Sequence, residues 1–394
     1  MSLLSNRSRS GDSWPEQSLG FGAFYFSYYS FVGVFPTFVS LYLAFRGISA
    51  FEIGILMSLM QAMRIVGPNL WGWMADWTGQ RARVLQFTAG SALMAFTGFF
   101  FEGGFWYFAF FMIAVNLFTS AQGPLSDALI LSEMQGNMSR YGQLRLWGSV
   151  GYVFMTAASG FVLDWAGIGL MPWVGASILG AVLVVSLFLY QTPQTLIARK
   201  TVSIWQVLKQ REVMAFMVSG CFMLAAHGAI YSFYSLYLSE LGYSSVTIGL
   251  MWAIGASAEI IFFIYQAPIV RRFGIKAILL GSLFLAVVRL ALIGFGAESF
   301  IILLIAQLLH AATFGAHHVT SILSIQKWFA GPLQARGQAL FISASYGVGG
   351  TLGGFFLSWV WKDVSPFAVY WVASGFALIG FLAAWQSFRW QVQK

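Results

Sequence analysis

Apolar residues along this chain fall into long runs of roughly 20 residues that are separated by short polar loops. A helix of that length crosses the hydrocarbon core of a membrane, which is about 30 Å thick. Twelve such runs begin near Leu19, Phe51, Val84, Phe105, Leu146, Leu170, Val213, Val246, Ala277, Phe300, Gln338 and Phe367. The pattern therefore predicts an all-α membrane protein with twelve transmembrane helices.

The second half of the chain repeats the first at an offset of 195 residues. The tetrapeptide Ser40 to Leu43 recurs as Ser235 to Leu238, and Gly47, Ser49, Ile53 and Gly54 recur as Gly242, Ser244, Ile248 and Gly249. This offset indicates two pseudo-symmetric six-helix halves related by an axis along the membrane normal. We expect a cytoplasmic tail over 1–18, six-helix bundles over 19–190 and 213–394, and a central cytoplasmic loop over 191–212.

Composition and charge restrict the class of protein further. With 59% hydrophobic and only 9% charged residues, the chain departs far from water-soluble domains, where about 25% of residues are charged. If the amino terminus is cytoplasmic, sixteen Lys or Arg residues lie in cytoplasmic segments and two outside. The positive-inside rule then predicts a multi-pass protein of the cell inner (cytoplasmic) membrane with both termini cytoplasmic. The net charge of +8 belongs to loops near lipid headgroups, so we expect membrane lipid and no nucleic acid as a partner.

A short polar segment separates the second and third predicted spans. Between Gly72 and Arg83 we expect a tight cytoplasmic turn in which Gly72 and Gly79 supply positive φ and Asp76 meets a helix end or an arginine. This segment resembles the loop signature of the major facilitator superfamily, with a weaker copy over 268–276. The resemblance implies the major facilitator fold and assigns Gly72, Asp76, Gly79 and Arg81 to a loop that governs conformational change.

Nine charged or titratable side chains fall inside the predicted spans, where each charge costs at least about 2.5 kcal/mol. They are Arg64, Asp127, Arg145, Glu259, Arg289, His227, His310, His317 and His318. Such a set predicts a functional, water-filled interior. Asp127 and Arg145 lie equally far from a predicted hairpin tip at Gly136, so we expect them to form an ion pair. A purely structural ion pair is the alternative.

Two polar surfaces accompany these charges. Asn116, Ser120, Gly123 and Asp127 share one face of the fourth helix, which predicts either a cavity wall or a helix contact through small residues. Tyr25, Tyr28 and Tyr29 form a wall of rings on the first helix, suited to a substrate or to aromatic packing. The second half holds Glu259 and every histidine, so we assign proton handling to it.

The segment from Tyr141 to Tyr152, together with Asp127, resembles lactose permease relatives, and the whole chain resembles the phenylpropionate permease family more closely. The pattern of that family is met by Arg64, Asn116, Asp127, Arg145, His227, Glu259, Arg289, His310 and His318. The resemblance implies a proton-coupled importer whose substrate contacts Asp127 and Arg145, with Glu259, Arg289 and His310 in coupling. We extend the substrate site to Asn116, Arg64, Tyr28, Tyr152 and His227.

Two features of the tenth helix qualify this resemblance. Thr313 stands where lactose permease relatives carry an acid, which argues against a sugar. Regular helical geometry places His317 on the face of His310, whereas the resemblance favours His318. We keep both histidines as candidates for proton coupling.

The sequence thus predicts a proton-coupled symporter that imports a small organic solute by alternating access. Three intramembrane arginines against two acids leave one cation unpaired, which suits an aromatic carboxylate such as a phenylpropionate-like acid. A sugar or nucleoside symporter and a proton-driven drug exporter are the alternatives within transport. An intramembrane enzyme is the alternative outside transport, but no constellation of catalytic residues in the sequence supports it. We expect a monomer whose partners are the solute, protons and lipid, driven by the proton gradient without cofactor or metal.

Overall fold

A computed structural model describes residues 17–134, 137–191, 204–330 and 333–392. Every regular element within these ranges is helical, as the apolar runs predicted. The α-helices are α1 (Ser18–Phe45), α2 (Ala50–Thr78), α3 (Arg81–Phe96), α4 (Phe105–Glu133), α5 (Met138–Ala166), α6 (Met171–Leu187), α7 (Trp205–Leu208), α8 (Arg211–Glu240), α9 (Ser245–Gly296), α10 (Phe300–Leu308), α11 (Ala316–Trp328), α12 (Gln334–Ile342), α13 (Gly350–Asp363) and α14 (Pro366–Val392). Residues Ala311–Gly315 and Ser343–Gly349 form π-helical segments that join α10 to α11 and α12 to α13.

Ten helical stretches in the described ranges are long and apolar enough to cross a membrane, so the protein is multi-pass. The sequence predicted twelve runs, and two places account for the difference. Helix α3 has only 16 residues before the chain tightens into a 3₁₀ turn over Thr97–Phe100. Helix α9 is a single stretch of 52 residues, although Gly274 (φ 77°, ψ 158°) breaks its helical geometry.

Positions 195 residues apart adopt the same local structure. Gly47 and Gly242 both have positive φ, at 80° and 85°, in the turn before a long helix. Two residues later, Ser49 and Ser244 each cap that helix by accepting a hydrogen bond from the backbone N–H three residues on. The repeated sequence therefore encodes a repeated turn and cap.

The turn predicted between Gly72 and Arg83 is shorter than expected. Helix α2 continues to Thr78, so Gly72 lies inside it and the prediction of positive φ there was wrong. Gly79 ends the helix with φ 67°, and Asp76 forms an ion pair of 3.4 Å with Arg81 across the turn. One glycine costs a helix only about 1 kcal/mol, which flanking apolar residues offset.

The N-terminal segment (17–191) and the C-terminal segment (204–392) meet closely at the end of the bundle where α2 and α9 begin. Helices α5 and α9 touch through Gly160 and Gly249, where an added Cβ would lie 2.7 Å from the Ser245 carbonyl oxygen and 2.8 Å from the Thr156 carbonyl oxygen. Helices α2 and α13 also pack closely here, because an added Cβ at Gly54 would meet the Ser358 side chain and one at Gly354 would meet the Ser58 side chain. Small residues thus let the two segments seal this end.

A hydrogen bond reinforces this seal. The Asp164 carboxylate accepts from the backbone N–H of Ser245 at 3.1 Å, which places a negative charge at the positive end of α9. The closed end lies opposite Ser18, because α1 runs the full height of the bundle before α2 begins. A central cavity lies between the two segments beneath this closed end.

Candidate functional site

The central cavity has a volume of about 270 Å³ and is bordered by both segments. Six of the residues predicted from sequence line it, namely Arg64, Arg145, Tyr152, Glu259, Arg289 and His310. Tyr29, from the predicted wall of rings on the first helix, also lines it, and residues that we did not predict as site residues complete the wall, among them Tyr231, Trp252, Phe314 and Gln307. A small space with several charges and many rings suits a small, partly apolar and charged solute.

The ion pair expected between Asp127 and Arg145 is not formed. Tyr25 donates a hydrogen bond of 2.7 Å to the Asp127 carboxylate instead. The Arg145 guanidinium lies 3.8 Å above the ring of Tyr29 and 5.5 Å from that of Tyr25. A phenol hydroxyl satisfies the acid and a ring face satisfies the cation, so the two charges need no direct contact.

The Arg64 guanidinium has no hydrogen bond, ion pair or ring contact with any described residue. It borders the central cavity and also an adjoining space, the side cavity, between α1, α2 and α4. Arg145 is stacked on tyrosine, and Arg289 makes three hydrogen bonds through Nε and Nη1, although its Nη2 is buried without a partner among the described residues. The count of three intramembrane arginines against two acids predicted one unpaired cation but did not say which. In the structure that cation is Arg64.

The C-terminal segment holds a connected acid, histidine and arginine. The Nη1 group of Arg289 donates to Nδ1 of His310 at 3.0 Å, and Nε2 of His310 lies 3.5 Å from a Glu259 carboxylate oxygen. A guanidinium can only donate, so Nδ1 must accept and neutral His310 carries its proton on Nε2, facing Glu259. The predicted neighbourhood of Glu259 and Arg289 therefore exists, with His310 between them.

Arg289 is fixed in place by three further features of its surroundings. Its side chain is 1% exposed, and its Nε donates to the Ala306 carbonyl oxygen at 2.7 Å. Its Nη1 also donates to the Thr313 hydroxyl at 3.2 Å. Thr313 thus provides a neutral acceptor at the position where the resemblance leads one to expect an acid. The fixed guanidinium in turn orients His310.

A π-helical turn decides which histidine joins His310. Within Ala311–Gly315 the helix takes an extra residue per turn, so the spacing of a regular α-helix no longer applies. The ring of Phe314 stacks on His310 at 5.2 Å and on His318 at 6.4 Å. Tyr346, in the second π segment, lies 3.3 Å from Nδ1 of His318. His318 therefore shares the face of His310, and His317 is buried apart from this stack.

Three other predicted residues lie beside the central cavity rather than on its wall. His227 is 1% exposed, its Nδ1 is bonded to the Met223 carbonyl oxygen at 2.9 Å, and its ring is 6.4 Å from that of His310. Tyr28 donates to the Thr119 carbonyl oxygen at 3.1 Å, and Asn116 lines the side cavity. Within the predicted wall of rings, Tyr29 lines the central cavity in place of Tyr28, and Tyr25, four residues earlier, bonds Asp127.

A helical bundle with a charged cavity between its two segments is the architecture of a membrane transporter. The chain belongs to the MFS_1 like family, whose model matches residues 19–372. A probable 3-phenylpropionic acid transporter of Escherichia coli (strain K12) is 29% identical over 315 residues, which is 77% of this chain and 80% of the relative. The putative nucleoside transporter YegT of the same strain is 24% identical over 333 residues, covering 79% of this chain and 77% of the relative.

The solved structures agree on the fold. The crystal structure of the nucleoside transporter NupG superimposes with a TM-score of 0.83 at 16% sequence identity, covering 95% of this chain and 99% of that one. At this identity the likeness establishes the fold and nothing about the solute. The protein is an MFS-type transporter and not an enzyme.

Proposed function

We propose that this protein is a proton-coupled symporter that imports a small aromatic carboxylate across the cell inner membrane. The observation that carries the proposal is Arg64, a guanidinium at the central cavity without a partner among the described residues. A cation inside a membrane protein is costly unless an anion joins it, and the carboxylate of the solute supplies that anion. The name of the 3-phenylpropionic acid relative supports an aromatic acid.

The proposal includes twelve spans in two six-helix halves over 19–190 and 213–394. The positive φ of Gly79 and Gly274, 195 residues apart, supports a break of α9 into two spans, and α3 with its 3₁₀ turn supplies the remaining one. The predicted tail over 1–18 and central loop over 191–212 lie largely outside the described residues. Both termini are cytoplasmic in this proposal, as the distribution of Lys and Arg favours.

The places where the two segments touch support alternating access as part of this proposal. With the termini inside, the glycine contacts close the extracellular end, and the central cavity faces the cytoplasm. Rocking one half against the other would separate Gly160 from Ser245 and open the outer side. Asp76 and Arg81 join two helices on the opposite side, where the resemblance places the loop that governs this movement.

Coupling in this proposal is electrostatic. Protonation of Glu259, or of its partner His310, adds one positive charge to a cavity that already contains Arg64 and Arg145. The anion then binds more tightly, and by reciprocity the bound anion favours the proton. A loaded carrier with one proton and one monovalent anion has the same charge as the empty carrier. The proton gradient is the only driving force, a metal or organic cofactor has no role, and the working unit is a monomer.

A binding screen tests the proposal directly. Purified protein should bind 3-phenylpropionate at least about tenfold more tightly than its uncharged amide, because only the acid pairs with a guanidinium. Arg64→Gln should remove most of this difference, whereas the control Arg389→Gln, which alters a cation at the end of α14, should leave it intact. Equal affinity of the wild-type protein for acid and amide would overturn the role of Arg64.

A nucleoside is the second candidate substrate, favoured by the relative YegT and by the ring pair of Tyr231 and Trp252 on the cavity wall, 6.5 Å apart. A purine or pyrimidine base stacks well on such rings but carries no negative charge. Proteoliposomes with an imposed pH gradient separate the candidates. If labelled uridine is taken up and 3-phenylpropionate does not inhibit this uptake, the substrate is a nucleoside and not a carboxylate.

A further inference from the structure

The side cavity beside Arg64 has a volume of about 270 Å³ and shares Tyr29, Val32, Pro36 and Arg64 with the central cavity. Its remaining wall is mostly apolar and aromatic, including Phe31, Phe35 and Met60. An apolar cavity of about 150 Å³ is sufficient to hold a benzene ring. A molecule whose carboxylate meets Arg64 can therefore place a ring in this space.

Most polar groups that line the side cavity are already satisfied by the protein. Tyr28 donates to the Thr119 carbonyl oxygen, Ser120 to the Met63 carbonyl oxygen and the Thr119 hydroxyl to the Val115 carbonyl oxygen. These three hydroxyl groups have therefore used their hydrogens and cannot donate to a ligand. The Arg64 guanidinium makes no hydrogen bond to a described residue, and one amide oxygen in the wall accepts none.

That amide oxygen belongs to Asn116, which is only 6% exposed. Its Nδ2 donates to the Met112 carbonyl oxygen at 2.8 Å, which fixes the orientation of the amide. Its Oδ1 accepts no hydrogen bond from any described residue. Asn116 lines the side cavity, so this oxygen is free to accept a hydrogen bond from a donor on a ligand bound there.

We infer that the side cavity seats the ring of the substrate and that Asn116 accepts a hydrogen bond from a hydroxyl on that ring. This inference rests on the proposed function and narrows its substrate class to hydroxylated aromatic carboxylates. Arg64 fixes the acid end at the junction of the two cavities, and Asn116 distinguishes a ring that carries a donor from one that does not. A site built to bond a hydroxyl discriminates strongly against the analogue that lacks it.

Competition binding with three ligands on the purified wild-type protein tests the inference. The ligands are 3-phenylpropionate, its ring-hydroxylated analogues and the matching methoxy analogues, which present an acceptor and no donor. At least one hydroxylated acid should bind about tenfold more tightly than 3-phenylpropionate, and its methoxy counterpart should lose that advantage. This comparison needs no variant and so does not depend on how a variant folds.

Two variants then locate the effect. Asn116→Leu, which keeps the size of the side chain, should equalise the affinities for the hydroxylated and plain acids while the plain acid still binds. Thr119→Val removes a hydroxyl of the same cavity that is already bonded to Val115, so it should preserve the preference. Elution of each variant as a monodisperse peak in detergent confirms folding.

The outcomes separate this inference from the proposed function. Aromatic acids that bind without any preference for a ring hydroxyl, or with a preference that survives Asn116→Leu, would overturn the role of Asn116 and leave the symporter proposal standing. Failure of all the aromatic acids to bind would overturn both. A preference lost in Asn116→Leu and kept in Thr119→Val supports both.

Discussion

The two charged regions that border the central cavity satisfy their charges in different ways. In the N-terminal segment Asp127 and Arg145 are each held by a tyrosine, and Arg64 is held by no described residue. In the C-terminal segment Glu259 and Arg289 are joined through His310 in a continuous chain of polar contacts. The first arrangement leaves a cation without a partner among the described residues, whereas the second links an acid to a cation through a titratable ring. In the proposed function the first is therefore the anion region and the second the proton region.

The largest effect should come from breaking the proton region at Glu259. Glu259→Gln mimics the permanently protonated acid, so substrate should still bind and exchange across the membrane. Accumulation driven by a pH gradient should fall to background, because no proton is released inside. Counterflow and gradient-driven uptake of a labelled acid in proteoliposomes measure the two activities separately.

His310→Gln provides the matched comparison, since it removes the group between Glu259 and Arg289 while keeping a polar side chain. If that variant alone loses accumulation, His310 carries the proton. Gradient-driven accumulation that persists in Glu259→Gln would rule out Glu259 as the proton site.

A smaller effect is expected in the anion region at Arg145. Arg145→Lys should weaken binding of the acid by about tenfold while the protein still inserts and folds, because an ammonium group cannot lie flat on the Tyr29 ring or hold a carboxylate with two parallel bonds. Affinity is measured by competition binding in detergent. Tyr29→Leu should reproduce the loss, and Tyr29→Phe, which keeps the ring face, should cause less of it. Normal uptake by Arg145→Lys would show that the stacked pair is structural.

The sequence predicts the structure correctly where its pattern is set by the membrane or by the repeat. Apolar runs predicted the helices, and residues 195 apart, such as Gly47 and Gly242, take the same backbone conformation. It also predicted six residues that meet at one cavity, because charges inside apolar helices must turn towards the interior.

The partner of a side chain is not predictable from the sequence where a neighbour in space, and not along the chain, provides it. The equal depth of Asp127 and Arg145 suggested a direct pair. Instead, two tyrosines of α1, more than 100 residues earlier in the chain, contact them: one bonds the carboxylate and the other lies under the guanidinium. Helical spacing favoured His317, but the π turn at Ala311–Gly315 moves the register by one residue. Neither packing across helices nor an irregular turn is visible in the spacing of residues along one helix.

A still smaller effect tests whether Asp127 depends on its tyrosine. Tyr25→Phe removes the hydroxyl that donates to the carboxylate at 2.7 Å and should lower the free energy of unfolding by about 1 kcal/mol. Tyr28→Phe, whose hydroxyl donates to a neutral carbonyl oxygen, should cost less, since bonds to charged groups are stronger. Thermal unfolding of the two purified variants in the same detergent shows which substitution lowers the stability more. A larger loss for Tyr28→Phe would mean that Asp127 is held by another group.

The smallest effect distinguishes the two neighbouring histidines of the tenth predicted helix. Through the π turn, His318 supports Phe314 on the cavity wall and contacts Tyr346, whereas His317 is absent from this stack. His318→Gln removes the ring and should reduce uptake by about threefold, consistent with the loss of one aromatic contact. His318→Phe keeps the ring and loses only the contact with Tyr346, so its uptake should lie between that of His318→Gln and the wild type. His317→Gln should leave uptake unchanged. The opposite order, with His317 the more sensitive, would mean that the helix adopts a regular α-helical register during transport and that the π turn belongs to one state of the cycle only.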